Sequence, residues 1–234
     1  MEGIQPDKYL KVIIVGASGH AAEIDDYLNY CNQRDIGLPR YEISGFIDDN
    51  PESHKKYIFS GPYLGDIQTH KVDHSTFYVM AIANIQYRKT IIQKILSKGA
   101  HFLTFIHPMA LISKSAIIGQ GVVIAPNVNI GPNVQIGDYN MINARASIGH
   151  DTVIGDYNFI TPNVCFSGFT TVGDENMFGI NSATIPNIRI GSNNTIAAGM
   201  IIDKNLGDHT TYFHRFKEKV IVIKSNKNDS LNSV

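Results

Sequence analysis

The chain has 234 residues, of which 43% are hydrophobic and 18% charged, and 20 basic against 21 acidic residues leave a net charge of −1. This composition favours a folded core over a disordered chain and, lacking a basic excess, argues against a nucleic-acid-binding protein. We find no signal-peptide pattern, no apolar run long enough to span a membrane, and no disulfide or zinc spacing for the two cysteines, so we expect a cytoplasmic protein.

The first hundred residues alternate apolar runs with helical patterns, which indicates a small parallel sheet with helices between its strands. A buried-strand pattern covers 11–15, a glycine-containing loop follows over 16–20, and a helix is predicted from about Ala21 to Tyr30. A second strand, 45–49, ends in two aspartates.

A third strand is predicted from Phe77 to Ala83, and Asn84 then stands where a helix N-cap is expected. The helix should run to about Ser97 and stop at Gly99. These elements predict a Rossmann-like domain over residues 1–104.

The glycine loop lies between a predicted strand and a predicted helix, where a phosphate can approach the backbone. Gly16 and Gly19 fall short of a full dinucleotide motif, so a tight turn without a ligand remains an alternative. Asp48 at the second strand end could accept hydrogen bonds from a ribose or a base, or could be a solvated acid.

A six-residue repeat occupies the second half of the chain. Stepping by six from Ile106 to Ile202 gives seventeen positions, of which only Thr184 is not apolar. The following position is mostly small, and the register never slips. The chain also holds 34 isoleucines against 9 leucines, which favours strands over helices.

A period of six fits neither a helix nor a simple alternating strand. It fits a triangular coil with one short strand on each side, one inward apolar residue per side, and a small residue where the chain turns. Three hexads make an 18-residue coil, so the array predicts about five stacked coils of parallel β-helix, in which each coil buries the next. A β-sandwich would not hold this register through its turns.

Within the array, Ile148-Gly149-His150-Asp151 carries the groups for proton transfer. Imidazole exchanges a proton near neutral pH, and an adjacent carboxylate can strengthen it as a base. From the residues alone, His150 can be interpreted either as a general base or as a turn residue without a catalytic role.

The two halves together resemble the sugar acetyltransferases of the PglD/NeuD type, in the hexapeptide acyltransferase superfamily. The resemblance covers about residues 11–205 and rests on Gly-Ala-x-Gly-His at the first loop, Phe-x-Asp-Asp at a strand end, Ala-Ile-x-Asn followed by an arginine, Ile-His-Pro opening the coil, and the Gly-His-Asp motif. It implies a left-handed β-helix domain over 105–206, with 207–234 as a C-terminal extension whose end we expect to be disordered.

The resemblance also implies a function: an acetyl-CoA-dependent N-acetyltransferase of a nucleotide-linked amino sugar, serving bacterial surface-glycan precursor synthesis. We expect a homotrimer with active sites between subunits, and we expect no metal. His150 would be the general base and Asp151 would orient it; the backbone N–H of Gly168 would stabilise the oxyanion. Other implied acetyl-CoA contacts are Asn181, Ser182, Ala198 and Gly199. Implied nucleotide-sugar contacts are Gly16, Ser18, Gly19, His20, Asp48, Asn84 and Arg88.

Two departures from the family pattern stand out. A second histidine, nine residues after the catalytic one in some relatives, is replaced here by Phe159, and the usual Gly-x-Pro-Ala-Lys ending is absent. Sugar O-acetylation of the sialic-acid type is the alternative function, and a non-catalytic binding protein a further one. A metalloenzyme is disfavoured because the repeat's two histidines, His107 and His150, lie more than two coils apart.

Overall fold

The computed structural model describes residues 9–33 and 39–213. The N-terminal domain is a four-stranded parallel sheet of order β2-β1-β3-β4. Its elements, in chain order, are strand β1 (Tyr9–Val15), helix α1 (Gly19–Asn32), strand β2 (Arg40–Ile47), a 3₁₀ turn (Ser53–Lys56), strand β3 (Phe77–Met80), helix α2 (Ile85–Ser97) and strand β4 (His101–Phe102).

The predicted elements are confirmed, with shifted ends. Helix α1 begins two residues earlier than expected, at Gly19, and strand β3 ends at Met80 instead of Ala83. Helix α2 begins as predicted, with the Asn84 side chain accepting a hydrogen bond from the Gln86 N–H at 3.0 Å. A pattern of apolar residues fixes an element better than its ends, because the ends depend on local hydrogen bonds.

Alternate residues of β1 point to opposite faces of the sheet, and each face has its own core. Val12 and Ile14 pack with α1, while Ile13 and Val15 pack with Ile92 and other α2 residues. The α1 side of this core continues into the second domain, where it includes side chains from four successive coils: Phe105, Val123, Met141 and Phe159. The two domains therefore share one hydrophobic core.

The second domain is a three-faced parallel β-helix of two-residue strands. The seven-strand face comprises Phe105–Ile106, Val123–Ile124, Met141–Ile142, Phe159–Ile160, Met177–Phe178, Thr195–Ile196 and Thr211–Tyr212. The six-strand face comprises Leu111–Ile112, Asn129–Ile130, Ser147–Ile148, Cys165–Phe166, Ala183–Thr184 and Ile201–Ile202. The five-strand face comprises Ile117–Ile118, Gln135–Ile136, Val153–Ile154, Thr171–Val172 and Arg189–Ile190.

Strands pair with partners 18 residues away, as in Gln135↔Val153, so the predicted inward column of isoleucines is confirmed. The prism extends past the predicted end at 206. Leu206 bridges to Ile190, and Thr211–Tyr212 pairs with Thr195–Ile196, a step of 16 residues. The two-residue deletion broke the sequence period and so hid this last part of the array. The predicted disordered end lies outside the described residues.

The turns differ from the prediction in one respect. Left-handed backbone occurs at every sixth residue from Gly121 to Gly199, three positions after each inward apolar residue, and six of these corner residues are asparagines. The small residue directly after the isoleucine serves another purpose, because neighbouring coils approach closely there. A Cβ on Gly149, for example, would lie 2.7 Å from the Gly168 nitrogen of the next coil.

A ladder of buried asparagines also runs through the prism, which the apolar period did not reveal. Asn140, Asn158, Asn176 and Asn194 are at most 1% exposed, and each side-chain oxygen accepts the backbone N–H of the ladder residue one coil further, Thr210 being the last donor. These amides satisfy backbone groups that the short strands leave unpaired.

Candidate active site

His150 lies at the corner between the six-strand and five-strand faces, directly after strand Ser147–Ile148. Its side chain is 56% exposed, and its Nδ1 lies 2.8 Å from Asp151 Oδ2. This contact leaves Nε2 directed away from the carboxylate, so one ring nitrogen is oriented and the other is available to a substrate.

Asp151 is the left-handed residue of this corner, at φ 57°. Its second oxygen accepts a hydrogen bond from the Asn133 side chain at 3.1 Å. Hydrogen bonds from His150 and Asn133 lower the pKa of the Asp151 carboxyl, so it is ionised at neutral pH. The predicted His–Asp pair is thus brought together by the corner geometry.

Gly168 lies one coil further along the same corner, against the imidazole. A Cβ there would lie 2.8 Å from His150 Cε1 and Nε2, so a larger residue would displace the imidazole from this position. Within the described residues, no hydrogen bond uses the Gly168 N–H. A free backbone donor beside the imidazole has the chemistry of an oxyanion site.

The other predicted acetyl-CoA residues lie on a different corner, between the seven-strand and six-strand faces. Asn181 and Gly199 are the left-handed residues of this corner, and Ala198 is exposed beside Gly199. Ser182 differs, because the residue is buried inside the prism and its backbone N–H and carbonyl are both hydrogen-bonded there, so it does not face this corner's surface. The six-strand face separates these residues from His150.

The N-terminal domain contains a cavity of about 720 Å³ at the carboxyl end of its parallel sheet. Of the predicted nucleotide-sugar residues, Ser18, Asp48 and Asn84 line it. A second cavity of about 250 Å³ shares Ser18 and includes Lys56. Strand ends and a helix N-terminus meeting at one cavity are typical of nucleotide sites in α/β domains.

Asp48 shapes the glycine loop as well as lining the cavity. Its two carboxylate oxygens accept hydrogen bonds from the backbone N–H groups of Ala17 and Asn50, each at 2.8 Å. Gly16, at φ +118°, donates its N–H to Ile47 and has the Ala81 backbone 3.2 Å from where a Cβ would be. Gly19 lies against Tyr57, which lines the smaller cavity.

Four of the predicted nucleotide-sugar residues line neither cavity: Gly16, Gly19, His20 and Arg88. The two glycines form the loop next to Ser18, whereas His20 and Arg88 make contacts elsewhere. The His20 ring lies edge-on to Phe159, with its centroid 5.8 Å away, and its Nε2 is buried without a hydrogen-bond partner. Arg88 is fully buried, and donates to the carbonyls of Ile82 and Tyr139 at 3.0 and 3.2 Å. Burial lowers the pKa of Arg88 to about 9.

Arg88 therefore joins the two domains through backbone carbonyls, and its guanidinium lies 5.9 Å from the centre of the Phe159 ring. Phe159, at the position of the family's second histidine, is buried beneath the N-terminal domain of its own chain. The sequence predicts Arg88 as a nucleotide-sugar contact and places Phe159 where some relatives have a second histidine. It does not predict their burial, because a repeat pattern does not show which prism face another domain covers.

Several cavity residues were not predicted. Tyr87, Ile91 and Lys94 line the larger cavity from one side of α2. Their spacing of four and three residues places them on one helix face, so the sequence held a signal for them. Gln68 comes from an irregular loop, and no local pattern could have indicated it.

In the part of the chain that the structure describes, no group of three or more His, Cys, Asp or Glu side chains is arranged to hold a metal ion. No helix among residues 9–33 and 39–213 is long and apolar enough to cross a membrane.

Comparison with known families finds two matches, one in the N-terminal domain and one in the prism. Residues 11–95 match the PglD N-terminal domain, and residues 133–168 match the bacterial transferase hexapeptide family (six repeats). Comparison with curated proteins finds no significant match.

Solved structures share the whole two-domain arrangement. The acetyltransferase domain of PglB from Neisseria gonorrhoeae matches with a TM-score of 0.76 and 24% identity, over 86% of this chain and 95% of that one. PerB from Caulobacter crescentus, in complex with CoA and GDP-perosamine, matches with a TM-score of 0.74 and 25% identity, over 86% and 92%. WeeI from Acinetobacter baumannii matches with a TM-score of 0.61 and 20% identity, over 86% and 95%.

These matches confirm the predicted fold class, a Rossmann-like domain followed by a left-handed β-helix. They also connect the repeat to acyl transfer. The chain is therefore an acyltransferase in which a domain matching the PglD N-terminal domain is joined to a hexapeptide-repeat transferase domain.

Proposed function

We propose that the chain transfers the acetyl group of acetyl-CoA to the amino group of a nucleotide-linked sugar. The observation that carries this proposal is the pairing of two sites: an oriented, exposed His150 on the prism and a cavity at the sheet edge of the N-terminal domain. Similarity to PerB, which was crystallised with CoA and GDP-perosamine, supports the substrate class.

In this proposal His150 is the general base. Its Nδ1 is held by Asp151, so Nε2 accepts the proton of the attacking amine as nitrogen adds to the thioester carbonyl. The Gly168 N–H donates to the oxyanion of the tetrahedral intermediate. When the C–S bond breaks, the proton on His150 passes to the departing thiolate, giving free CoA and the amide.

The proposal includes a homotrimer. The cavity of the N-terminal domain is lined by no prism residue, and that domain covers the seven-strand face, whereas His150 lies at the opposite corner. The six-strand face between the two prism sites presents no charged side chain from its strands, whose outward residues are Leu111, Asn129, Ser147, Cys165, Ala183 and Ile201. Packing neighbouring prisms beside this face would bring His150 of one chain toward the cavity of another.

The substrate is tested by assaying a panel of nucleotide-linked amino sugars with acetyl-CoA, and following thiol release and the acetylated product. We expect turnover only with substrates that carry a free amine. Product formation from a sugar that offers hydroxyls alone would favour O-acetylation, and the absence of turnover with every acceptor would favour a binding protein.

His150→Ala tests the mechanism. His150 is largely exposed, so stability should change by about 0.5 kcal/mol or less. Turnover should fall by roughly 10²–10⁴, the usual contribution of a general base. Raising the pH should restore part of the loss for an amine acceptor, because more of the amine is then unprotonated. Wild-type turnover in this variant would remove His150 from the mechanism.

A further inference from the structure

Phe169 follows Gly168 on the corner that holds His150, and its position is unusual for a phenylalanine. Its backbone is left-handed, at φ 60°, and its side chain is 53% exposed. A bulky residue is disfavoured in this conformation, where asparagine occupies six of the other corners. Neither backbone preference nor core burial therefore explains a phenylalanine here.

The ring of Phe169 lies against His150. The two ring centroids are 5.2 Å apart and the planes meet at 90°, an edge-to-face contact. The Phe169 N–H also donates to the His150 carbonyl at 3.1 Å. Phe169 therefore contacts His150 through both its backbone and its side chain.

Other aromatic corner residues have a different explanation. Tyr139 and Tyr157 stack on each other with centroids 5.2 Å apart, and they pack into the core between the domains. Phe169 has no such role, because it belongs to none of the three hydrophobic cores of the described residues.

We propose that Phe169 is a positioning residue for His150, a role that rests on the proposed function of that histidine as the base. A single hydrogen bond to Asp151 holds the imidazole at one nitrogen, but the half-exposed side chain can still leave this position by rotation about its χ1 and χ2 torsions. The Gly168 backbone limits this rotation on one side, and the Phe169 ring limits it on another. Nε2 is then held against Gly168, the residue whose N–H is the proposed oxyanion donor.

The test uses Phe169→Gly and Phe169→Asn, since both new residues accept a left-handed backbone more readily than phenylalanine. We expect the melting temperature to be unchanged or higher, because backbone strain is relieved. We expect kcat to fall roughly tenfold, less than the roughly 10²-fold that a misplacement of about 1 Å can cost, because Asp151 still holds the ring; the KM for acetyl-CoA should be nearly unchanged. Phe169→Tyr, which keeps the ring, should retain wild-type kcat.

Asn193→Gly is the matched control, a left-handed residue at another corner, and its kcat should not change. If His150→Ala is inactive while Phe169→Gly and Phe169→Asn keep wild-type kcat, the positioning role is wrong and the proposed base stands. If His150→Ala is itself fully active, the proposed function of His150 is wrong. A kcat loss in Phe169→Tyr equal to that in Phe169→Gly would also overturn the inference.

Discussion

At the scale of single residues, the proposed catalytic corner depends on a carboxylate that accepts hydrogen bonds from two coils. Asp151 accepts from His150 on its own coil and from Asn133 on the preceding coil, and its left-handed backbone directs it toward both. The Gly-His-Asp motif predicted the contact between His150 and Asp151, because the two residues are adjacent in the sequence. The Asn133 contact spans 18 residues and becomes apparent only once the coil period is known.

Asp151→Asn should show how this carboxylate contributes to stability. A carboxyl whose pKa is lowered in the folded state stabilises the protein above its unfolded pKa of about 4, and that contribution is lost as the pH falls through the lowered value. We therefore expect the variant to be less stable than wild type at pH 7, and the difference to disappear in acid. Urea unfolding at several pH values measures it.

Asparagine tolerates the left-handed conformation, so the substitution should not strain the corner. A stability difference that stays constant from pH 7 down to the acid range would contradict the assigned role of the charge.

At the scale of elements, the prism is stabilised by polar ladders as well as by its isoleucine column. The side-chain oxygen of Asn158 accepts from the backbone and side-chain nitrogens of Asn176, while its amide donates to the Gly173 carbonyl at 3.0 Å. Because the strands are only two residues long, the corners between them need such partners.

Asn158→Leu should therefore destabilise the protein although leucine is apolar and the position is fully buried. The Asn176 N–H and the Gly173 carbonyl would be left buried without partners, at a cost of about 2–4 kcal/mol in the free energy of unfolding. Chemical denaturation measures this loss. The control is Gln135→Ala, whose exposed side chain points outward from the five-strand face and should change stability by about 0.5 kcal/mol or less. Equal stabilities for the two variants would exclude a structural role for the ladder.

At the scale of the whole molecule, the two sites lie in different domains, which are joined by extensive contacts. Arg88 and the shared core attach the N-terminal domain to the seven-strand face, and a second contact, the Lys89–Glu175 ion pair, adds to the attachment. His150 is at the far corner of the same prism. A sugar bound in the cavity would then reach the base of a neighbouring chain more readily than its own.

The expected homotrimer makes this arrangement testable by mixing two variants. Asp48→Ala should raise the KM for the nucleotide sugar, and His150→Ala should lose turnover, so each is nearly inactive at low sugar concentration. Trimers assembled from equal amounts of both should recover up to about a quarter of wild-type activity, because some interfaces then combine an intact base with an intact cavity.

Sedimentation should first establish that the protein is a trimer. The control is each variant alone, taken through the same mixing procedure and assayed in the same way. A stable, fully active monomer, or mixed trimers without recovery, would contradict shared sites.

The sequence by itself determined the elements and the period. Hydrophobic patterning identified three of the four N-terminal strands and both helices, and the six-residue repeat identified the prism and its inward column, because both signals are local and repeat at fixed spacing. The two-residue strand β4 was too short to show such a pattern. The His150–Asp151 pair was also predicted, since adjacent residues at a turn remain close in any fold.

Only the tertiary structure decided which residues share a site. It removed Arg88 and His20 from the cavities, buried Phe159 under the neighbouring domain, and added Lys94 and Gln68 to the cavity lining. It also placed Phe169 against the imidazole. The physical reason is that these contacts join residues from different coils or different domains, and their closeness depends on which face of the prism the N-terminal domain covers.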